Sequence, residues 1–319
     1  MEFNCVSISL GSSRRDKHIS LKISESHIVN LYRIGVDGDF LLAQKIIERL
    51  QDDDVDAIGL GGIDLLLFIE NEYFVIKDAK KLYDKSKNVP IVDGSITKRF
   101  WEPQVVDNLI KENILNNDQG VLLVSSLDRF ATLEIFKNSG FKILIGDLLF
   151  ALNVGKIIYD IDQLKFLAKI ILKDVLNLPF NLIYPVGREQ EKESDFSSKN
   201  LSDILKSQDF GIVFGDFHYI RKMKDLLFGK VVITNTLTEN DINLLMDNKV
   251  RFLITTGIFI ENRSFGANMT DAIFAAYCRR VKNKKISPLD FNDRDLFLEF
   301  VREFLGVKEI KGNIVYGVK

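Results

Sequence analysis

At 319 residues the chain can bury a large core and exceeds the usual size of one domain. Hydrophobic residues at 46% and charged residues at 28% are ordinary for a globular protein, and a net charge of -2 argues against general affinity for nucleic acid or an anionic membrane. Cys5 and Cys278 give neither a disulfide framework nor metal-ligand spacing, and no apolar run reaches the ~18 residues that span a bilayer.

The N-terminus lacks the apolar core of a signal peptide. Together with the cysteine usage this predicts a cytoplasmic protein without membrane or nucleic-acid partners. Homo-oligomerisation is left open.

Residues 1–95 read as a mixed α+β unit. Val6 to Leu10, His18 to Ile23 and His27 to Tyr32 alternate in polarity, as strands of a meander do. Gly35 to Asp39 is a turn able to cap a helix over Phe40 to Leu50. A buried strand, Asp56 to Leu60, closes at Gly61-Gly62. A hairpin over Leu65 to Glu70 and Tyr73 to Lys77 follows, then a strand at Val89 to Val92.

Residues 96–319 read as a Rossmann-like α/β core that ends in a helix and a strand. A helix is expected over Trp101 to Asn113, with Pro103 in its first turn. The clearest fold signal is Gly120 to Asp147, a strand–helix–strand crossover of the length a parallel sheet requires. Asp147 to Leu178 reads as mostly helical, Asn181 to Tyr184 as a short strand, and Glu189 to Asn200 as a polar surface loop.

Strands are expected at Asp209 to Phe214, Lys230 to Ile233 and Val250 to Ile254. Helices are expected at Thr238 to Met246, Met269 to Val281 and Asp295 to Leu305, and a last strand near Asn313 to Tyr316. Short buried strands alternating with helices predict a mostly parallel sheet covered on both faces.

Polar residues gather where these strands end, and open parallel sheets bind ligands there. The corner Ser125, Ser126, Asp128, Arg129 stands where a dinucleotide fold holds phosphates, and Asp147 stands where an acid would bind the ribose of NAD. The corner contains no glycine. Asp216 and His218 form a Gly-Asp-x-His turn suited to a general base. Thr234, Asn235 and Thr236 end another strand.

Ser12, Ser13, Arg14 and Arg15 form a second candidate anion loop, or a solvated turn. Lys98, near the junction of the two units, either moves a proton at reduced pKa or faces water. Arg263 and Asn268 precede a helix whose N-terminus could receive an anion, and Asn268 could cap it. No metal site is expected.

The segments SLGSSRRD (Ser9 to Asp16), RIGVDGD (Arg33 to Asp39), GLGGIDL (Gly59 to Leu65), SLDRF (Ser126 to Phe130), GDFHYIRK (Gly215 to Lys222) and SFGAN (Ser264 to Asn268) carry a resemblance to the bacterial quinate 5-dehydrogenase family. That resemblance implies NAD- or NADP-linked oxidation of a hydroxy acid of the quinate or shikimate type. The competing expectation is a non-catalytic binding or regulatory protein. It would capture a small phosphorylated or carboxylated metabolite between the two units on Arg14, Arg15 and Arg263.

Overall fold

The computed structural model describes residues 1–70, 72–179, 198–307 and 309–317. The expected strand at Asn181 to Tyr184 lies outside them, as does most of the expected loop from Glu189; Ser198 to Asn200 begin a helix, Ser198–Lys206.

The first sheet is built on β1 (Glu2–Ser9), which lies between β3 (His27–Gly35) and β4 (Ala57–Gly61) and is parallel to both. The full order is β2-β3-β1-β4-β7, with β2 (Lys17–Ser24) antiparallel on the edge and β7 (Ile91–Val92) parallel to β4. The expected meander holds for β2 and β3, which pair antiparallel, and fails for β1, which is parallel to β3. Despite the alternation in β1, Ser7 and Ser9 are both buried. They stand at the C-terminal end of a strand covered on both sides.

Asp39 caps the helix Phe40–Leu50 as predicted, accepting from Leu42 N at 2.9 Å, and Ala43 and Ile47 are buried against the core. Between β4 and β7 the chain inserts the hairpin β5 (Leu66–Ile69) and β6 (Glu72–Val75), then a helix, Lys77–Tyr83.

The second sheet runs β9-β8-β10-β11-β12-β15. Its strands are β8 (Val121–Leu123), β9 (Ile143–Ile145), β10 (Ile212–Phe214), β11 (Val231–Thr234), β12 (Phe252–Thr255) and β15 (Asn313–Gly317). Only β15 is antiparallel. Leu122 and Val121/Leu123 enter opposite cores, so the run is apolar without alternation. The crossover from β8 through the helix Phe130–Asn138 to β9 is as read from the sequence. Asp147–Leu178 is less helical than expected: a single turn, Asp147–Phe150, is separated from the helix Ile161–Val175.

In both sheets the chain starts in the middle and adds strands to either side, so the winding reverses between β1 and β4 and between β8 and β10. Ligands of open parallel sheets sit at such reversals, beyond the C-terminal strand ends.

The two units are interleaved. After the hairpin β13 (Phe259–Ile260) and β14 (Arg263–Ser264), the helix Ala267–Arg280 leaves the second sheet and packs on β1 and β4. Arg280 pairs with Asp56 at 2.8 Å. Phe274 contacts Phe291, Phe297 and Phe300 with ring centroids 5.1–5.2 Å apart, and Phe304 meets Phe3 at 5.2 Å. β15 then returns to the second sheet. No helix among the described residues is long and apolar enough to cross a membrane.

Candidate ligand cleft between the two sheets

The C-terminal edges of both sheets line one cavity of about 160 Å³. Ser7, Ser9 and Gly61 come from the first sheet, Asp216, His218, Asn235 and Thr236 from the second, and Arg263 to Met269 form a third wall. Asn268 donates to Ser7 Oγ at 2.8 Å. It does not cap its helix as expected: the helix starts at Ala267, its cap is Gly266, and no side chain caps it.

Three arginines reach the cavity. Arg33, on β3, donates to Ser12 O at 2.9 Å, Asp16 Oδ1 at 2.8 Å and Ser9 Oγ at 3.0 Å. Arg15 ends the short turn Ser13–Arg15 and pairs with Asp241 at 3.4 Å. Arg263 donates to Arg15 O at 2.6 Å, and its Nε is buried without a partner. Burial, then the charge of Arg15, lowers Arg33 to about 10, against the pull of Asp16. Burial and then Arg15 also lower Arg263. Ser12, Ser13 and Arg14 do not line the cavity. Ser12 Oγ accepts from Arg14 N, and Ser13 bonds Asp37, so these residues build the turn that presents Arg15.

The corner after β8 is closed from within. Both carboxylate oxygens of Asp147 accept from Ser126 N, at 2.9 and 3.0 Å, and one also accepts from Leu127 N at 3.0 Å. The anion held by this loop is therefore the protein's own. Burial raises the Asp147 pKa although these donors oppose it. Ser125 Oγ accepts from Asp216 N and from Arg129. That approach needs Gly215: its φ is +137°, and a Cβ there would stand 2.7 Å from Val124 Cγ2.

Arg129 is 1% exposed and pairs with Glu102 at 3.1 Å, with Asp216 at 2.8 Å and with Asp128. The expected phosphate loop thus spends its donors and its guanidinium internally. A pyrophosphate does not fit it.

Lys98 lies in a helix absent from the sequence reading, Ser95–Phe100. Asp271 caps that helix from the distant helix Ala267–Arg280, accepting from Ile96 N, Thr97 N and Thr97 Oγ1. Lys98 is buried, with Nζ 2.5 Å from Asp64 and 2.9 Å from Asp128. Burial alone would lower its pKa, but Asp128 and Asp64 outweigh burial and raise it. Neither sequence reading of Lys98 survives: it does not face water, and it stays protonated instead of acting at reduced pKa.

Asp64, within the segment GLGGIDL, is a site residue that no motif or spacing in the sequence marks. Burial and the neighbouring Asp128 and Asp216, opposed by Lys98, raise it to about 6. His218 is lowered to about 4, first by burial, and its Nε2 is buried without a partner. Asp216 is lowered: burial would raise it, but Arg129 and Lys98 dominate. At neutral pH the wall therefore presents a neutral imidazole, a fixed carboxylate and an acid that titrates near neutrality. Thr234 is buried behind this wall with an unpartnered Oγ1.

A second cavity of about 110 Å³ opens at the ends of β8 and β9, under the helix Ile161–Val175. It is lined mainly by leucine and isoleucine and meets the first at Asp64 and Asp216. Among the described residues no group of three or more His, Cys, Asp or Glu is placed to hold a metal ion.

Fold and cleft together define an α/β protein of two interleaved parallel-dominated sheets with a charged cleft at their facing edges. The family described as "Domain of unknown function (DUF8754)" matches residues 96–294, well over half of the chain, and the chain belongs to it. A second, "Domain of unknown function (DUF8753)", matches residues 4–93. No curated protein and no solved structure matches the chain.

Proposed function

We propose that the cleft captures a small carboxylated or phosphorylated metabolite, with Arg15, Arg33 and Arg263 as its anchors. The observation that carries this reading is the convergence of three guanidiniums on one cavity, where burial and mutual repulsion depress Arg33 to about 10. Like charges gathered at a cost in the free protein are relieved by an anion placed among them. Asn235, Asn268 and Ser9 supply neutral partners for hydroxyls, and Asp64 and His218 stand ready to exchange a proton with such a ligand. The cytoplasm suits two buried thiols that form no disulfide.

Thermal unfolding in phosphate, citrate, 3-phosphoglycerate and quinate tests the reading. A ligand at 100 times its Kd stabilises by about 2.7 kcal/mol, a shift of several degrees. Arg263→Ala is expected to abolish that shift while leaving the unliganded midpoint nearly unchanged. No shift with any of these anions would overturn the proposal.

A second reading is NAD(P)-linked oxidation of a quinate-type hydroxy acid by a Rossmann-like core. It is favoured by the reversal of strand order between β8 and β10 beside an apolar cavity. The corner Ser125 to Arg129 does not supply the phosphate contacts, so the arginines would have to. Stabilisation by NAD or NADP, together with quinate-dependent reduction of the nucleotide, would favour this reading over simple capture.

A further inference from the structure

We propose that the apolar cavity beside the cleft is a second binding site, which takes a protonated amine with an apolar body and seats its ammonium on Asp128. The cavity wall is mainly hydrocarbon. Leu127, Leu148, Leu164, Ala168 and Leu172 line it, and so do Asp64, Asp128 and Asp216, which are tied together through Lys98 and Arg129. Asp147 also lies in the wall, but both of its oxygens are taken by backbone N–H groups.

Two features point to a cation. The first is a count of charge. Among the described residues Asp64, Glu102, Asp128 and Asp216 gather around Lys98 and Arg129, so carboxylates outnumber the cations paired with them there. The second is an orphan atom. The Asp128 side chain is 7% exposed; Oδ2 receives Lys98 and Arg129, whereas Oδ1 is buried with no donor at all. A buried carboxylate oxygen left bare is costly, and a ligand donor removes that cost.

A hydrated metal ion does not suit the hydrocarbon wall, and no metal-holding group is present among the described residues. An alcohol could donate one hydrogen bond but would bring no charge. An ammonium supplies both, and the cavity volume is on the order of one six-membered ring. The two cavities share Asp64 and Asp216, but Arg15, Arg33 and Arg263 line only the first, so either proposal can fail without the other.

Calorimetric titration of the full chain with benzylamine and benzyl alcohol, and with cyclohexylamine and cyclohexanol, tests this at neutral pH and fixed ionic strength. Each amine is expected to bind at least about tenfold tighter than its alcohol. Asp128→Asn, which keeps an acceptor for Lys98 and Arg129, should remove that preference. Ala168→Phe, which fills the cavity, should abolish binding of both compounds, and Arg263→Ala should leave both unchanged. The proposal is overturned if amine and alcohol bind equally, if neither binds at tens of millimolar, or if binding survives Ala168→Phe.

Discussion

Asp147→Ala separates the two roles open to this carboxylate. As a ribose acid it would be dispensable for folding, and its loss would touch only the response to nucleotide. The structure instead has it accept from Ser126 N and Leu127 N at 2.9–3.0 Å, with Ser126 fully buried. Removing it leaves two N–H groups without an acceptor, at about 1–3 kcal/mol each. Part of that loss is offset, because burial already disfavours the ionised carboxylate and raises its pKa. The expected net destabilisation is about 2–4 kcal/mol. Asp147→Asn keeps one acceptor but turns an amide NH2 toward a donor, so it should lose roughly half as much. Urea unfolding followed by the single tryptophan, Trp101, which is 7% exposed, reads both variants. A change below about 0.5 kcal/mol in Asp147→Ala, at unchanged m-value, would falsify the structural role.

Lys98→Met removes the ammonium from buried Asp64 and leaves Asp128 with Arg129 alone, and should cost about 3–5 kcal/mol near neutral pH. The loss should shrink below about pH 6, where Asp64 takes up a proton; a loss of the same size at pH 5 would contradict the pairing. His218 has a folded pKa of about 4 against an ordinary 6.5, so the unfolded chain binds the extra proton between those values. Its contribution is fully present above pH 6.5 and lost as pH falls toward 4, at most about 3 kcal/mol. The stability difference between the native chain and His218→Gln should therefore change with pH only in that window. A difference flat from pH 4 to pH 7 would show that the imidazole is not held neutral.

Elements were legible wherever one segment carried its own signal. The crossover from β8 to β9 was read correctly because both strands are wholly apolar and the helix between them has a buried face. The Asp39 cap was legible for the same reason: donor and acceptor lie three residues apart. The helix Ser95–Phe100 was not, since its capping carboxylate, Asp271, is 175 residues away. The direction of β3 relative to β1 was equally hidden, because period-two alternation is the same in parallel and antiparallel pairs.

The site was legible in its residue types and not in their ionisation. Strand-end clustering found Asp216, His218, Asn235 and Thr236, and loop composition found Arg15 and Arg263; all of these line the cleft. Arg33 follows directly on the expected strand His27 to Tyr32 and Asp64 follows a glycine pair, and nothing beside either in sequence marks it. Lys98 shows why chemistry is harder to read than placement. A lysine alone in a buried site would lose its proton more readily, yet two carboxylates brought from 30 and 34 residues away reverse the sign. The same folding step that raises Lys98 lifts Asp64 toward neutrality and leaves Asp128 Oδ1 bare, so the groups best suited to meet a ligand acquire that character only from their partners.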